Sequence, residues 1–108
     1  MNETTRQALE ASIAHWRTAA EVKAPGEAPF GCANCALCRL FRPVDCDGCP
    51  VAARSGRLTC AGTPYGEAII EHHRWIFDPE DALAEAAYRA AARREIEFLE
   101  SLREPGEP

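Results

Sequence analysis

Apolar and polar positions divide the chain into three periodic stretches and one stretch without a period. Between Asn2 and Val22, Leu9, Ile13, Trp16 and Ala20 recur at spacings of three and four, on one side of a helix. The spacing predicts a first helix over 3–21, opened near Asn2 and Glu3 and stopped by Pro25-Gly26. Thr63-Pro64 reads as an N-cap followed by proline at the first helical position. It predicts a second helix over 64–77, with Ile69, Ile70, His73 and Phe77 along the packed side. Asp78-Pro79 repeats that start signal and predicts a third helix over 79–103, with Leu83, Ala87, Ala91, Phe98 and Leu102 facing inward. Glu80 and Asp81 suit the positive end of its dipole. Glu85 with Arg89, and Arg93 with Glu97, are i,i+4 pairs expected on solvated helix surface.

The middle is different. Residues 24–60 hold all six cysteines together with Pro25, Pro29, Pro43 and Pro50, and neither helical nor strand period persists there. Loops and short turns are expected. The fold class that follows is mainly α: three helices flanking an irregular, Cys-rich metal-binding loop region. One domain spans 1–103, made of an N-terminal helix (1–23), the Cys-rich segment (24–62) and two helices (63–103). The polar, proline-containing end, 104–108, is expected to be a disordered tail.

Composition sharpens this picture in two ways. Much of the aliphatic content of the 108 residues is alanine, which buries little surface, so a thin core calls for a staple. The net charge of −5 argues against bulk attraction to nucleic acid or to anionic membrane. Arg39, Arg42, Arg54 and Arg57 nevertheless cluster in the cysteine segment and could form a local basic patch, although solvation of an exposed loop accounts for them as well. The first 21 residues lack the apolar stretch of a secretory signal, and no apolar run approaches bilayer length. The expected location is cytoplasmic, where thiols stay reduced.

The cysteines run Cys32-x2-Cys35-x2-Cys38-x7-Cys46-x2-Cys49-x10-Cys60. A C-x2-C pair offers two thiolates from one tight turn, and two pairs complete the tetrahedral four-thiolate shell that zinc favours. Cys35/Cys38 and Cys46/Cys49 are the best two pairs, with Cys60 able to replace Cys46 or Cys49. Sharing of sulfurs between two zinc ions fits the same count. Cys32-x2-Cys35-x2-Cys38 with a distant Cys49-Pro50 also echoes bacterial ferredoxins, so an iron–sulfur cluster with a redox role is the second reading. Three disulfides are the third, and they fit a reducing compartment poorly.

The stretch from His15 to Tyr65 resembles a group of small cysteine-rich proteins of bacterial and phage genomes. The residues that carry the resemblance are His15-Trp16, Cys35-Ala36-Leu37-Cys38, Cys46-Asp47-Gly48-Cys49-Pro50-Val51 and Cys60-Ala61-Gly62-Thr63-Pro64-Tyr65. The resemblance implies a site built from Cys35, Cys38, Cys46, Cys49 and Cys60, with Cys32 an addition to it. It brings no activity with it.

Catalytic constellations are missing from the sequence. Glu71-His72-His73 does not supply the i,i+4 histidine pair of a zinc protease, and Ala61-Gly62-Thr63 lacks the glycines and lysine of a phosphate loop. His15 is a candidate ligand should one thiolate go unused. His73, on the apolar stripe, is expected to be packed and His72 exposed. The chain is therefore read as a zinc-stabilised interaction or adaptor module rather than an enzyme. Its partner is expected to be a protein docking on helix faces such as those of Trp16, Trp75 and Phe77. A nucleic-acid-associated adaptor is the less favoured alternative, and no membrane partner is expected.

Overall fold

In the computed structural model, residues 1–28, 36–41, 49–55 and 63–103 are described. The first helix, α1 (Glu3–Ala20), starts where Asn2 Oδ1 accepts the Thr5 amide at 2.8 Å, which satisfies one otherwise orphaned donor of the first turn. It buries Leu9, Ile13 and Trp16, as their spacing requires. A 3-10 turn, Pro25–Glu27, follows.

Two short helices then interrupt the cysteine segment, α2 (Ala36–Phe41) and α3 (Pro50–Ser55). The expectation of loops alone is corrected here. Six residues are too few to show a period, yet Pro50 at the first helical position is a start signal of the same kind as Pro64.

Helix α4 (Pro64–Phe77) has the bounds its start signal predicts, with Thr63 Oγ1 accepting the Tyr65 amide at 3.3 Å. Its inward face is not the one expected. Ala68, His72 and Trp75 are buried, whereas Ile70 and His73 are exposed and Phe77 is 93% exposed. The helix is turned by about one residue, roughly 100°, from the expected Ile69–Ile70–His73–Phe77 face, and Trp75, its bulkiest side chain, is interior. His72 tolerates this because its Nε2 lies 2.7 Å from the Pro25 carbonyl oxygen, so the buried polar ring is paired.

Helix α5 (Ala82–Glu100) begins later than expected. Asp78 closes α4 by donating its amide to the Arg74 carbonyl at 3.2 Å. The cap of α5 is Asp81, whose Oδ1 accepts the Leu83 and Ala84 amides at 2.9 and 3.3 Å. Leu83 is consequently 81% exposed, and Phe98 is only half-buried. The buried stripe is Ala84, Tyr88, Ala91, Ala92, Glu95 and Leu99, continued by Leu102.

That stripe is rich in alanine because α5 packs against both α1 and α4, and small side chains let two helices approach one axis. Both neighbours run antiparallel to it. Trp75 stacks on Tyr88 with ring centroids 5.2 Å apart, and Arg94 pairs with Glu67 farther along the hairpin. On the other side Tyr88 and Arg89 meet the end of α1, while Arg103 meets Glu10, about midway along it. Among the described residues there is no strand, and no helix is long and apolar enough to cross a membrane.

Candidate metal centre

Of the five cysteines proposed as ligands, Cys38 and Cys49 fall on described residues; Cys35, Cys46 and Cys60 lie outside them, as does Cys32. Cys38 sits in the first turn of α2 and is half-buried. The helix that carries it is held to α1 by Leu37, which is 2% exposed and whose amide donates to Ser12 Oγ at 3.4 Å. Phe41, one turn on, packs against the same core.

Cys49 immediately precedes α3 and is buried. Its carbonyl accepts the Ala53 amide at 3.0 Å and so forms the first hydrogen bond of that helix. Val51 buries its side chain beside it in sequence. Arg54 ties α3 to the end of α5, donating to the Ser101 carbonyl at 3.1 Å and to Ser101 Oγ at 3.3 Å. Phe41 of α2 and Pro50 of α3 line one recess of about 570 Å³, together with Thr5 and Leu102. The last residue of α2 and the first of α3 therefore border one recess beside the start of α1 and Leu102, and Cys38 on α2 and Cys49 just before α3 lie outside its lining.

The donor chemistry suits a soft or borderline metal. Thiolates prefer such ions, and Cys38 and Cys49, each the second cysteine of a C-x2-C pair, sit in the first turn of α2 and just before α3. Among the described residues, no three His, Cys, Asp or Glu side chains come together as a metal-binding group. His15 is half-buried and edge-on to Trp16, at 6.3 Å between centroids. Of the four arginines that suggested a basic patch, Arg39 is exposed and Arg54 is held by Ser101. Arg42 and Arg57 lie outside the described residues, as does the tail 104–108.

Two of the three side chains expected on a docking face are interior. Trp16 is 4% exposed and Trp75 1%, leaving only Phe77 of the three at the surface. Arg89 makes the expected pair with Glu85, Nε donating to its carboxylate at 3.1 Å, but it is not on solvated surface. It also donates to the Ala20 and Val22 carbonyls at 2.6 and 2.8 Å, and its guanidinium lies 5.4 Å from the Trp75 ring centroid. The signal for Arg89 was its place directly after Tyr88 on the buried stripe. Glu95, buried on α5, shares that stripe and could have been found from its spacing to Tyr88 and Ala92. No family model, curated protein or solved structure matches the chain.

Proposed function

We propose that this protein is a small zinc-binding interaction module in which a structural four-cysteine site organises the central segment. Its ligands are drawn from Cys35, Cys38, Cys46, Cys49 and Cys60. The observation that supports this best is the convergence of α2 and α3 on one recess, with Cys38 on the first and Cys49 at the threshold of the second. Each helix is far below the length that is stable alone in water. Leu37 and Val51 anchor one point of each, and a shared metal would fix the remaining turns. A structural zinc site contributes roughly 10–16 kcal/mol of apparent binding energy at neutral pH, enough to offset the backbone entropy of several residues at about 1–2 kcal/mol each.

The metal supplies tertiary cross-links here, not reactivity. Metal analysis and a visible spectrum of anaerobically purified protein test the proposal. A colourless protein with stoichiometric zinc is expected, with zinc lost in Cys38→Ser and Cys49→Ser and largely kept in Cys32→Ser. Visible absorption with bound iron would replace zinc by an iron–sulfur cluster. Dispersed amide resonances for the central segment after complete chelation, under reducing conditions, would remove the metal from the account altogether.

A further inference from the structure

At the tip of the α4–α5 hairpin lies an open groove of about 530 Å³. Phe77 and Leu83 line it, each with most of its surface in water. Between them the chain reads Asp78-Pro79-Glu80-Asp81, three carboxylates with no basic residue. Glu71 lines the same groove with its side chain only 14% exposed. Its Oε1 lies 3.4 Å from the Arg74 guanidinium, and its Oε2 is buried with no hydrogen-bond partner among the described residues. Arg74 is the one basic residue of the lining, and its own side chain is 69% exposed.

A buried acceptor without a donor is unfavourable, and an aromatic ring left almost wholly in water is unusual for a side chain of that size. An occupant with apolar side chains covers the ring, and a cationic group on it meets the carboxylates of the lining, Glu71, Asp78 and Asp81. A second copy of this chain does not provide one. Two-fold packing through the tip would set the same carboxylates face to face in a molecule already at −5. Anionic lipid is repelled for the same reason.

We infer that the hairpin tip docks a cationic amphipathic segment of a partner protein. Its apolar side chains cover Phe77 and Leu83, and a lysine or arginine reaches Glu71. This rests on the interaction-module reading and deepens it by naming the chemistry of the partner. The hairpin contains no cysteine, so metal and docking are separable.

The test uses the full chain, isotope-labelled, titrated by NMR with a synthetic amphipathic lysine–leucine peptide. A glutamate–leucine peptide and anionic phospholipid vesicles serve as controls, and the zinc content of each sample is measured. The expected result is saturable shifts centred on residues 71–87, weakened by salt. Phe77→Ser and Glu71→Gln should each lower affinity by about tenfold or more. Phe77→Ser removes an exposed ring and leaves the fold intact, so loss of binding there cannot be unfolding. Shifts spread over the acidic surface, unchanged affinity in both variants, equal binding of the glutamate peptide or the vesicles, or dimerisation through the tip would each overturn the inference. Zinc-replete protein that ignores the peptide defeats the docking inference alone; metal-free folded protein that binds it defeats the zinc site alone.

Discussion

Tyr88 and Arg89 stand side by side on α5 and finish a helix that is not their own. The Tyr88 hydroxyl donates to the Ala19 carbonyl at 2.6 Å, and Arg89 donates to the carbonyls of Ala20 and Val22. Tyr88→Phe should cost about 1–2 kcal/mol in denaturant melts, because the Ala19 carbonyl is left in a dry site. Burial pushes the Tyr88 phenol up to about 12, against a smaller opposing pull from Arg89. An unfolded tyrosine ionises near 10, so the unfolded chain releases its proton first as pH rises. The contribution of Tyr88 is therefore complete below pH 10 and is lost between about 10 and 12, at roughly 1.4 kcal/mol per unit. Alkaline melts of wild type and Tyr88→Phe should converge across that window; parallel curves would show that the phenol titrates normally. Trp75 offers a contrasting case, since its Nε1 is buried with no hydrogen-bond partner among the described residues. Trp75→Phe removes the orphan donor and opens a small void, two effects of opposite sign, so stability should change by less than about 1 kcal/mol, whereas Trp75→Ala should cost about 3–5 kcal/mol.

At the scale of elements, caps decide where helices begin, and small residues between large ones decide how closely they pack. Thr63→Ala should cost about 1 kcal/mol by releasing the Tyr65 amide, measurable as a lower melting temperature without a change in cooperativity. Arg89→Ala should cost about 2–3 kcal/mol and raise amide exchange at the end of α1, and Arg89→Lys should restore less than half, because one ammonium does not span both carbonyls. The starts of α1 and α4 were legible in the sequence, since Asn2, Thr63 and Pro64 are local signals acting on adjacent amides, whereas Asp78-Pro79 pointed to a start three residues before that of α5. Helix faces were legible for α1, where Leu9, Ile13 and Trp16 are bulky and buried alike, and in part for α5, where Ala91 and, just beyond its end, Leu102 are buried as their spacing predicts. In α4 and α5 the interior holds the large Trp75, Tyr88 and Leu99 together with Ala68, His72 and Ala84, and an apolar-weighted reading ranks these last three below Ile70, Phe77 and Leu83. That ranking fails at the small positions, because α5 is shared by two helices and their close approach favours alanine between the large anchors Trp75, Tyr88 and Leu99. The cysteine pairs were legible as chelators by spacing, but the helices under Cys38 and Cys49 were too short to leave a period.

The whole molecule hangs on α5, which contacts α1 and α4, while α2 leans on α1. Chelation should therefore leave most of the far-ultraviolet helical signal, carried by α1, α4 and α5, and abolish the dispersion of the central segment. Collapse of the entire spectrum would mean that the three long helices depend on the metal. The middle of α1 is clamped by Arg103, whose Nε and Nη2 each approach a Glu10 oxygen at 2.7 Å. That fork holds the Glu10 carboxyl below its ordinary value, so the contact weakens only in acid. Every one of these closures is remote in sequence: 69 residues separate Tyr88 from Ala19, and 93 separate Arg103 from Glu10. On the ribosome, at roughly 5–20 residues per second, α1 emerges several seconds before the helix that completes it. During that interval its Leu9–Ile13–Trp16 stripe has no mate, so nascent chains halted before α5 should be captured by chaperones and cut by proteases, and release of the last helix should end both at once.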